Sequence, residues 1–211
     1  MSPQTRVGYM KAKEQGLLIV ISGPSGAGKG TICQELRKTH PEFHLSISCT
    51  TRPPRPGEEH GVNYYFLNKE NFEQMIAENK LLEYAKVYDN YYGTPQQYVE
   101  DKLSVGKDVI LEIDIQGALQ IKEKYPQGVL IFVVPPGLSL LRERLAKRGT
   151  DSVETIKKRM ECVCDELSNT ERYDYLVIND DVGNALDRVE AIIKAEKCRP
   201  TRFNIKEFLD C

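Results

Sequence analysis

The sequence predicts an α/β fold, a parallel sheet flanked by helices with a small lobe of mixed strands inserted into it. Three observations carry that expectation. Leu17–Ser22 (LLIVIS) is an unbroken apolar run, the pattern of a strand buried on both faces. A glycine-rich turn, GPSGAGKGT, follows at once and opens a helical stretch, ICQELRKTH, that Pro41 must end. Two more runs of the first kind lie downstream, Val109–Asp114 (VILEID) and Val129–Val134 (VLIFVV), the second stopped by Pro135 and Pro136. Strand, glycine-rich turn and helix together are the opening of a parallel α/β domain.

The remaining elements follow in order. FHLSIS (43–48) reads as a short strand and VNYYFL (62–67) as another. Phe72, Met75 and Ile76 stand at helical spacing after Asn68, and LLEYAKVYDNYYG (81–93) reads as strand and turn. This middle region, 46–96, lacks strand–helix alternation and is expected to form the inserted lobe. Thr94 and Pro95 make a good helix start, threonine as cap and proline in the first turn, for a helix running to Gly106. LSLLRERLAKRG is helical up to a C-capping Gly149. In the next helix, Ile156, Met160, Val163 and Leu167 make one apolar face. YLVIN is the last core strand, and an amphipathic helix runs from there to Lys197.

A chain of 211 residues is long enough for one good core and one or two small inserted lobes. Its net charge of −2 lacks the basic field of a general nucleic-acid binder, so any anion site must come from local arginines. No apolar run approaches the ~18 residues of a membrane span, and no secretory signal precedes the first strand. A cytoplasmic protein without a membrane partner is expected. The cysteines at 33, 49, 162, 164, 198 and 211 form no CxxC pair and read as ordinary thiols.

The turn carries the first chemistry. Gly23, Pro24, Ser25, Gly26, Ala27, Gly28 and Lys29 match GxxxxGK between strand and helix. Glycines let the backbone curl its N–H groups inward, the helix N-terminus adds positive potential, and Lys29 supplies a point charge for β- and γ-phosphates. One position departs from the pattern. Gly30 stands where a serine or threonine would ligate Mg²⁺, and Thr31 comes one residue later. Thr31 is a candidate ligand, directly or through water, or a helix-capping hydroxyl; otherwise Mg²⁺ is held through nucleotide phosphates and water, with Asp114 as a further candidate.

The stretch TTRPPRPGEEHGVNYYF (50–66) carries the second. Its prolines hold Arg52 and Arg55 on an extended frame, and forked guanidinium groups on a stiff frame suit a phosphate. Tyr64 and Tyr92 can add hydroxyl donors. One phosphate loop already serves a nucleotide, so a second arginine cluster implies a second phosphate.

SISCTTRPPRPGEEHGVNYYF, LLEYAKVYDNYYGT and LEIDIQG, beside GPSGAGKG, resemble guanylate kinase, and the resemblance runs from about Leu17 to Lys197. It implies a P-loop NTPase-type core (1–45, 97–136 and 172–211), a GMP-binding lobe (46–96) and a helical lid (137–171). The implied reaction is ATP + GMP → ADP + GDP with Mg²⁺. The implied partners are ATP and GMP, with dGMP a further candidate, in a monomer or homo-oligomer. By motif match Ser48, Arg52, Arg55, Glu58, Tyr64, Glu83, Tyr92 and Thr94 would line the GMP site. The chemistry agrees: a carboxylate such as Glu83 accepts from both N1–H and N2 of guanine, while hydroxyls such as Ser48 and Thr94 serve O6 and N7. Thr94 cannot give one hydroxyl both to the base and to a helix cap. Glu112 and Asp114, of one side-chain parity, would orient Mg²⁺-bound water, touch the GMP lobe or form a structural ion pair. In the family pattern Arg144, Arg148 and Arg159 are lid arginines that stabilise the transferring phosphoryl group, and Asn179 approaches the adenine. Two rivals stay open. An adenylate-kinase-like enzyme shares GKGT but not the Glu83/Thr94 set. A non-catalytic guanylate-kinase-like binding module would have a damaged phosphate loop.

Overall fold

The computed structural model describes residues 15–87, 89–147 and 153–203. In chain order the strands are β1 (Leu18–Ser22), β2 (His44–Leu45), β3 (Cys49–Thr50), β4 (Tyr65–Phe66), β5 (Leu81–Val87), β6 (Asn90–Pro95), β7 (Val109–Glu112), β8 (Val129–Val134) and β9 (Tyr175–Ile178). The helices are α1 (Lys29–Thr39), α2 (Lys69–Ala77), α3 (Gln96–Ser104), α4 (Ile115–Lys124), α5 (Leu138–Lys147), α6 (Val153–Leu167) and α7 (Val182–Lys197). Five strands form an all-parallel core sheet in the order β2-β7-β1-β8-β9. Four form a second, mixed sheet in the order β4-β3-β6-β5.

The apolar runs become the central strands because both faces of the core sheet are covered. Alternate residues of β1 divide between two cores. Ile19 and Ile21 pack with Ile32 and Leu36 of α1 and Val189 of α7. Leu18 and Val20 pack with Val99 and Leu103 of α3 and Ala118 and Ile121 of α4. Full burial of one such side chain is worth about 1.5–3 kcal/mol, so the unbroken run fixes β1 at the centre. The apolar face expected on α6 is there: Ile156, Met160 and Leu167 flank buried Val163, which packs on Leu141 and Leu145 of α5. Among the described residues no helix is long and apolar enough to cross a membrane.

The structure corrects three expectations and adds one element. FHLSIS is not one strand: His44–Leu45 joins the core sheet and Cys49–Thr50 the small sheet, because the chain crosses between them there. VNYYFL shortens to Tyr65–Phe66, since the preceding residues turn at Gly61, whose φ is 78°. Thr94 does not cap α3. It lies in β6, where its buried hydroxyl donates to Glu83, and the helix starts after Pro95 without a side-chain cap. Helix α4, which the patterns above leave unassigned, fills the stretch between β7 and β8. It is short and carries Gly117 in its first turn, which weakens the propensity signal. Its stripe of Ile115, Ala118 and Ile121 was the available clue. Gly149, the expected C-cap, lies outside the described residues.

Candidate active site

β7 and β8 flank β1 on opposite sides, so the chain leaves the sheet in opposite directions at its C-terminal end and opens a crevice there. The phosphate loop sits in that crevice. Gly28 adopts the left-handed φ of 94° and immediately precedes α1, and Gly23 has φ 136° with its missing Cβ only 2.1 Å from the Val133 carbonyl oxygen. Neither place accepts a side chain. The N-terminus of α1 has no capping side chain and no acid in its first turn, so its N–H groups and positive end remain for an anion. The Lys29 ammonium donates to the carbonyls of Gly23 at 2.6 Å and Pro24 at 3.1 Å, which holds it at the loop.

Two of the predicted residues buttress the loop from behind. Asn179 is only 1% exposed, and its amide nitrogen donates to the Ala27 carbonyl at 2.8 Å. Arg144 donates to that carbonyl at 3.4 Å and to the Asn179 carbonyl at 3.2 Å. In this conformation neither lines the cleft. Arg159 does, and its guanidinium donates to the Ser25 hydroxyl at 2.8 Å. Arg148 lies outside the described residues. Thr31 is exposed on α1 and off the cleft. At Gly30 a Cβ would stand 3.3 and 3.5 Å from the two Glu112 carboxylate oxygens, so Glu112 reaches the loop at the place where the usual hydroxyl is missing.

The opposite wall of the same cleft, a space of about 670 Å³, comes from the small sheet and the proline-rich loop. Ser48, Arg55, Tyr64 and Tyr92 line it, as do Glu58 and Glu83. Arg52 stands just behind. Glu58 braces the loop: one oxygen accepts from the Arg52 guanidinium at 2.8 Å, the other from the Arg55 backbone N–H at 2.7 Å. Burial alone would raise the Glu58 pKa, but these two donors hold it below the usual carboxylate value. The frame around the arginines is therefore a carboxylate as well as prolines. Burial, reinforced by the Glu112 charge, pushes the Tyr64 phenol up to about 12, so it stays a hydroxyl donor.

Glu83 lies at the deep end, 2% exposed, its Oε1 accepting from the Thr94 hydroxyl at 2.6 Å. Burial pushes its pKa up to about 7; the Thr94 hydroxyl opposes this and the Asp114 charge adds to it. Asp114 lines the cleft and also caps α4, accepting from the Gly117 N–H at 3.0 Å. Burial raises its pKa too, against that N–H bond and the Lys29 charge.

One group of cleft residues was missed by the sequence reading. Cys162, Asp165, Glu166 and Asn169 face the cleft from α6 and its end. With Arg159 they fall at helical spacing opposite the apolar face, which was the legible signal. Burial raises the Glu166 pKa, opposed by the Lys29 charge.

Among the described residues no group of three His, Cys, Asp or Glu could hold a metal ion. Glu112 beside Gly30, and Asp114, suit a metal that keeps its waters and relies on phosphate oxygens.

Comparison with known proteins agrees with this geometry. The guanylate kinase family profile matches residues 15–196. A guanylate kinase of Carboxydothermus hydrogenoformans is 54% identical over 196 residues, covering 93% of this chain and 96% of its own. One from Caldanaerobacter subterraneus is 57% identical over 193 residues, covering 92% and 94%. The crystal structure of guanylate kinase from Anaplasma phagocytophilum superposes with a TM-score of 0.79 at 31% identity, covering 94% of this chain and 96% of that one. A phosphate loop facing a carboxylate-floored pocket across one cleft, and these matches over nearly the whole length, place the chain in the guanylate kinase family.

Proposed function

We propose that this guanylate-kinase-family enzyme transfers the γ-phosphoryl group of ATP to GMP, giving ADP and GDP, by the following division of labour. The observation that carries it is the single cleft. One wall is an anion-binding loop with Lys29; the other holds the buried Glu83–Thr94 pair with Arg55, Tyr64 and Tyr92 nearby. Two phosphorylated substrates then meet in line between the walls.

The loop backbone N–H groups that remain around Ser25, Gly26 and Gly28–Gly30, with the Lys29 ammonium, hold the ATP phosphates. Asn179 and Arg144 keep the loop in shape through the Ala27 carbonyl. Arg55, Tyr64 and Tyr92 take the GMP phosphate, with Arg52 and Glu58 fixing the loop that presents them. Glu83 accepts from the guanine N1–H and N2, Asp114 assists at that edge, and Ser48 serves O6 or N7. Thr94 acts through Glu83, because its one hydroxyl hydrogen is already given there. Phosphoryl transfer needs little covalent help from protein, so positioning and charge stabilisation dominate. Arg159, already on the Ser25 hydroxyl, is suited to follow the transferring charge, with residues 137–171 as the lid that carries it. Glu112 and Asp114 would hold the waters of a Mg²⁺ ion bound with ATP, which would supply charge neutralisation at the β- and γ-phosphates. The cytoplasm is the proposed compartment, since both substrates are metabolites of that compartment and Cys33, Cys49, Cys162 and Cys198 are free thiols.

An adenylate-kinase-like acceptor preference fits poorly. Adenine presents an amino group and an unprotonated N1, leaving the buried Glu83 without its second donor. The test is ADP formation with each of GMP, AMP, CMP and UMP. GMP should exceed AMP by roughly 10⁴–10⁵ in kcat/KM, the discrimination available to a site built on polar complementarity. AMP turnover comparable to GMP would overturn the assignment, and no turnover with any acceptor would favour a binding module.

A further inference from the structure

Helix α4 fastens the small sheet to the core through a regular set of side chains. Gln116, Gln120 and Lys124 donate to the carbonyls of Lys86, Tyr84 and Leu82 at 3.4, 2.7 and 2.6 Å. Gln120 also accepts from the Tyr84 N–H at 3.3 Å, so its amide pairs with the strand as a neighbouring strand would. The spacing explains the fit. Four helical residues rise about 6 Å and two strand residues about 6.6 Å, so every fourth side chain meets every second carbonyl. β5 is an edge strand of its sheet, and this ladder occupies its open side.

Within that contact lies Gly117. Its φ is not in the left-handed region, so the backbone does not require glycine there. In a helix glycine is a poorer choice than alanine. What requires glycine is space. A Cβ at residue 117 would stand 2.2 Å from Glu83 Oε2, 2.9 Å from its Cδ and 3.3 Å from Asp114 Oδ1. The Glu83 carboxylate fills the place of the missing side chain, with its other oxygen held by Thr94.

We infer that Gly117 is a positioning residue for acceptor specificity: by carrying no side chain it seats the Glu83 carboxylate against α4 at the distance set by the Gln116–Gln120–Lys124 ladder. This rests on the proposed role of Glu83 toward guanine. Alanine at 117 leaves the helix intact and pushes the carboxylate, the most movable atom group in the contact, off its seat. The base then meets a displaced acceptor.

The experiment is steady-state kinetics with GMP, IMP and ATP on Gly117→Ala, Glu83→Gln and the double variant, with folding checked by circular dichroism and thermal melting. IMP lacks the N2 amino group, so the GMP/IMP ratio reads the acceptor geometry directly. Gly117→Ala should raise KM for GMP and lower the GMP/IMP preference by about tenfold each, with KM for ATP within about twofold, as for a mislaid charged hydrogen bond. The double variant should be no worse than Glu83→Gln alone, because both act through one carboxylate. An unchanged GMP/IMP ratio in Gly117→Ala, while Glu83→Gln lowers it, overturns the inference and leaves the guanine reading standing. No effect of Glu83→Gln overturns the guanine reading itself. Independent, additive losses overturn the shared route. Should Gly117→Ala fail to fold, Gln120→Leu cuts the ladder and leaves the seat open. Loss of GMP/IMP preference with KM for ATP unchanged then supports the inference, and equal loss for all substrates, or none, overturns it.

Discussion

If the buried Glu83 accepts from guanine as proposed, acceptor use should depend on pH, by an amount that follows from its surroundings. Its carboxyl has a pKa pushed up to about 7 from an ordinary 4.5, first by burial. Only the carboxylate accepts from both guanine donors; the acid offers a competing proton. With a pKa of about 7 the ionised fraction is about one tenth at pH 6 and nine tenths at pH 8, so kcat/KM for GMP should fall about tenfold between them. The GMP phosphate titrates near pH 6 as well, and Glu83→Gln separates the two effects because substrate titration cancels in the ratio of wild type to variant. That ratio should fall about tenfold from pH 8 to pH 6. At pH 8 the variant should be about ten- to hundredfold poorer with GMP, the worth of a hydrogen bond to a charged group, while KM for ATP is unmoved. Stability moves the other way. A carboxyl whose folded pKa lies above its unfolded value contributes stability that is complete below pH 4.5 and is lost as pH rises through about 7. The full loss is on the order of 3 kcal/mol. Ligand-free wild type should therefore lose stability relative to Glu83→Gln between pH 5 and pH 8 in urea unfolding. A flat kinetic ratio, or a matching change in KM for ATP, would refute the placement of Glu83 at the base.

Four further outcomes follow from the site. Lys29→Met should stay folded and lose at least about a hundredfold in turnover, since it removes the cation aimed at the transferring charge; a single-turnover assay with circular dichroism checks it. Glu58→Gln should raise KM for GMP about tenfold with KM for ATP unchanged, because one carboxylate braces both Arg52 and the Arg55 backbone and an amide cannot accept from both. Gly30→Ser should lower the Mg²⁺ concentration for half-maximal rate by up to about tenfold, ~1.4 kcal/mol, once Glu112 yields a few tenths of an ångström to the new Cβ. Thr31→Val should change that concentration little, because Thr31 is exposed and off the cleft; collapse of activity in a folded Thr31→Val would make Thr31 a direct ligand.

The parts legible in the sequence were those set by local rules. An apolar run long enough to need cover on both sides became β1, and a glycine pattern between strand and helix became the loop. The proline-framed arginines were legible as a stiffened pair, but not their division: Arg55 lines the cleft while Arg52 is held on Glu58. What stayed hidden depends on partners distant in the chain. FHLSIS carries no mark that its two halves serve different sheets, because the division is made by β7 on one side and β6 on the other. Nothing local to Thr94 says that its hydroxyl goes to Glu83 and not to a helix end; the choice is made by the 11-residue return of β6 along β5. Gly117 is the sharpest case. In its own helix it looks like a weakness, and only the carboxylate arriving from β5 turns the missing Cβ into a requirement. The same logic applies to Asn179 and Arg144, which meet the loop at Ala27 across gaps of 152 and 117 residues. Helical spacing puts Arg144 on a face but cannot say that the face closes on a carbonyl. On the proposed role of Glu83, recognition would be assembled where the small sheet meets the helices of the core. Substitutions at that joint should alter acceptor choice even at positions, such as Gly117, that carry no side chain to touch substrate.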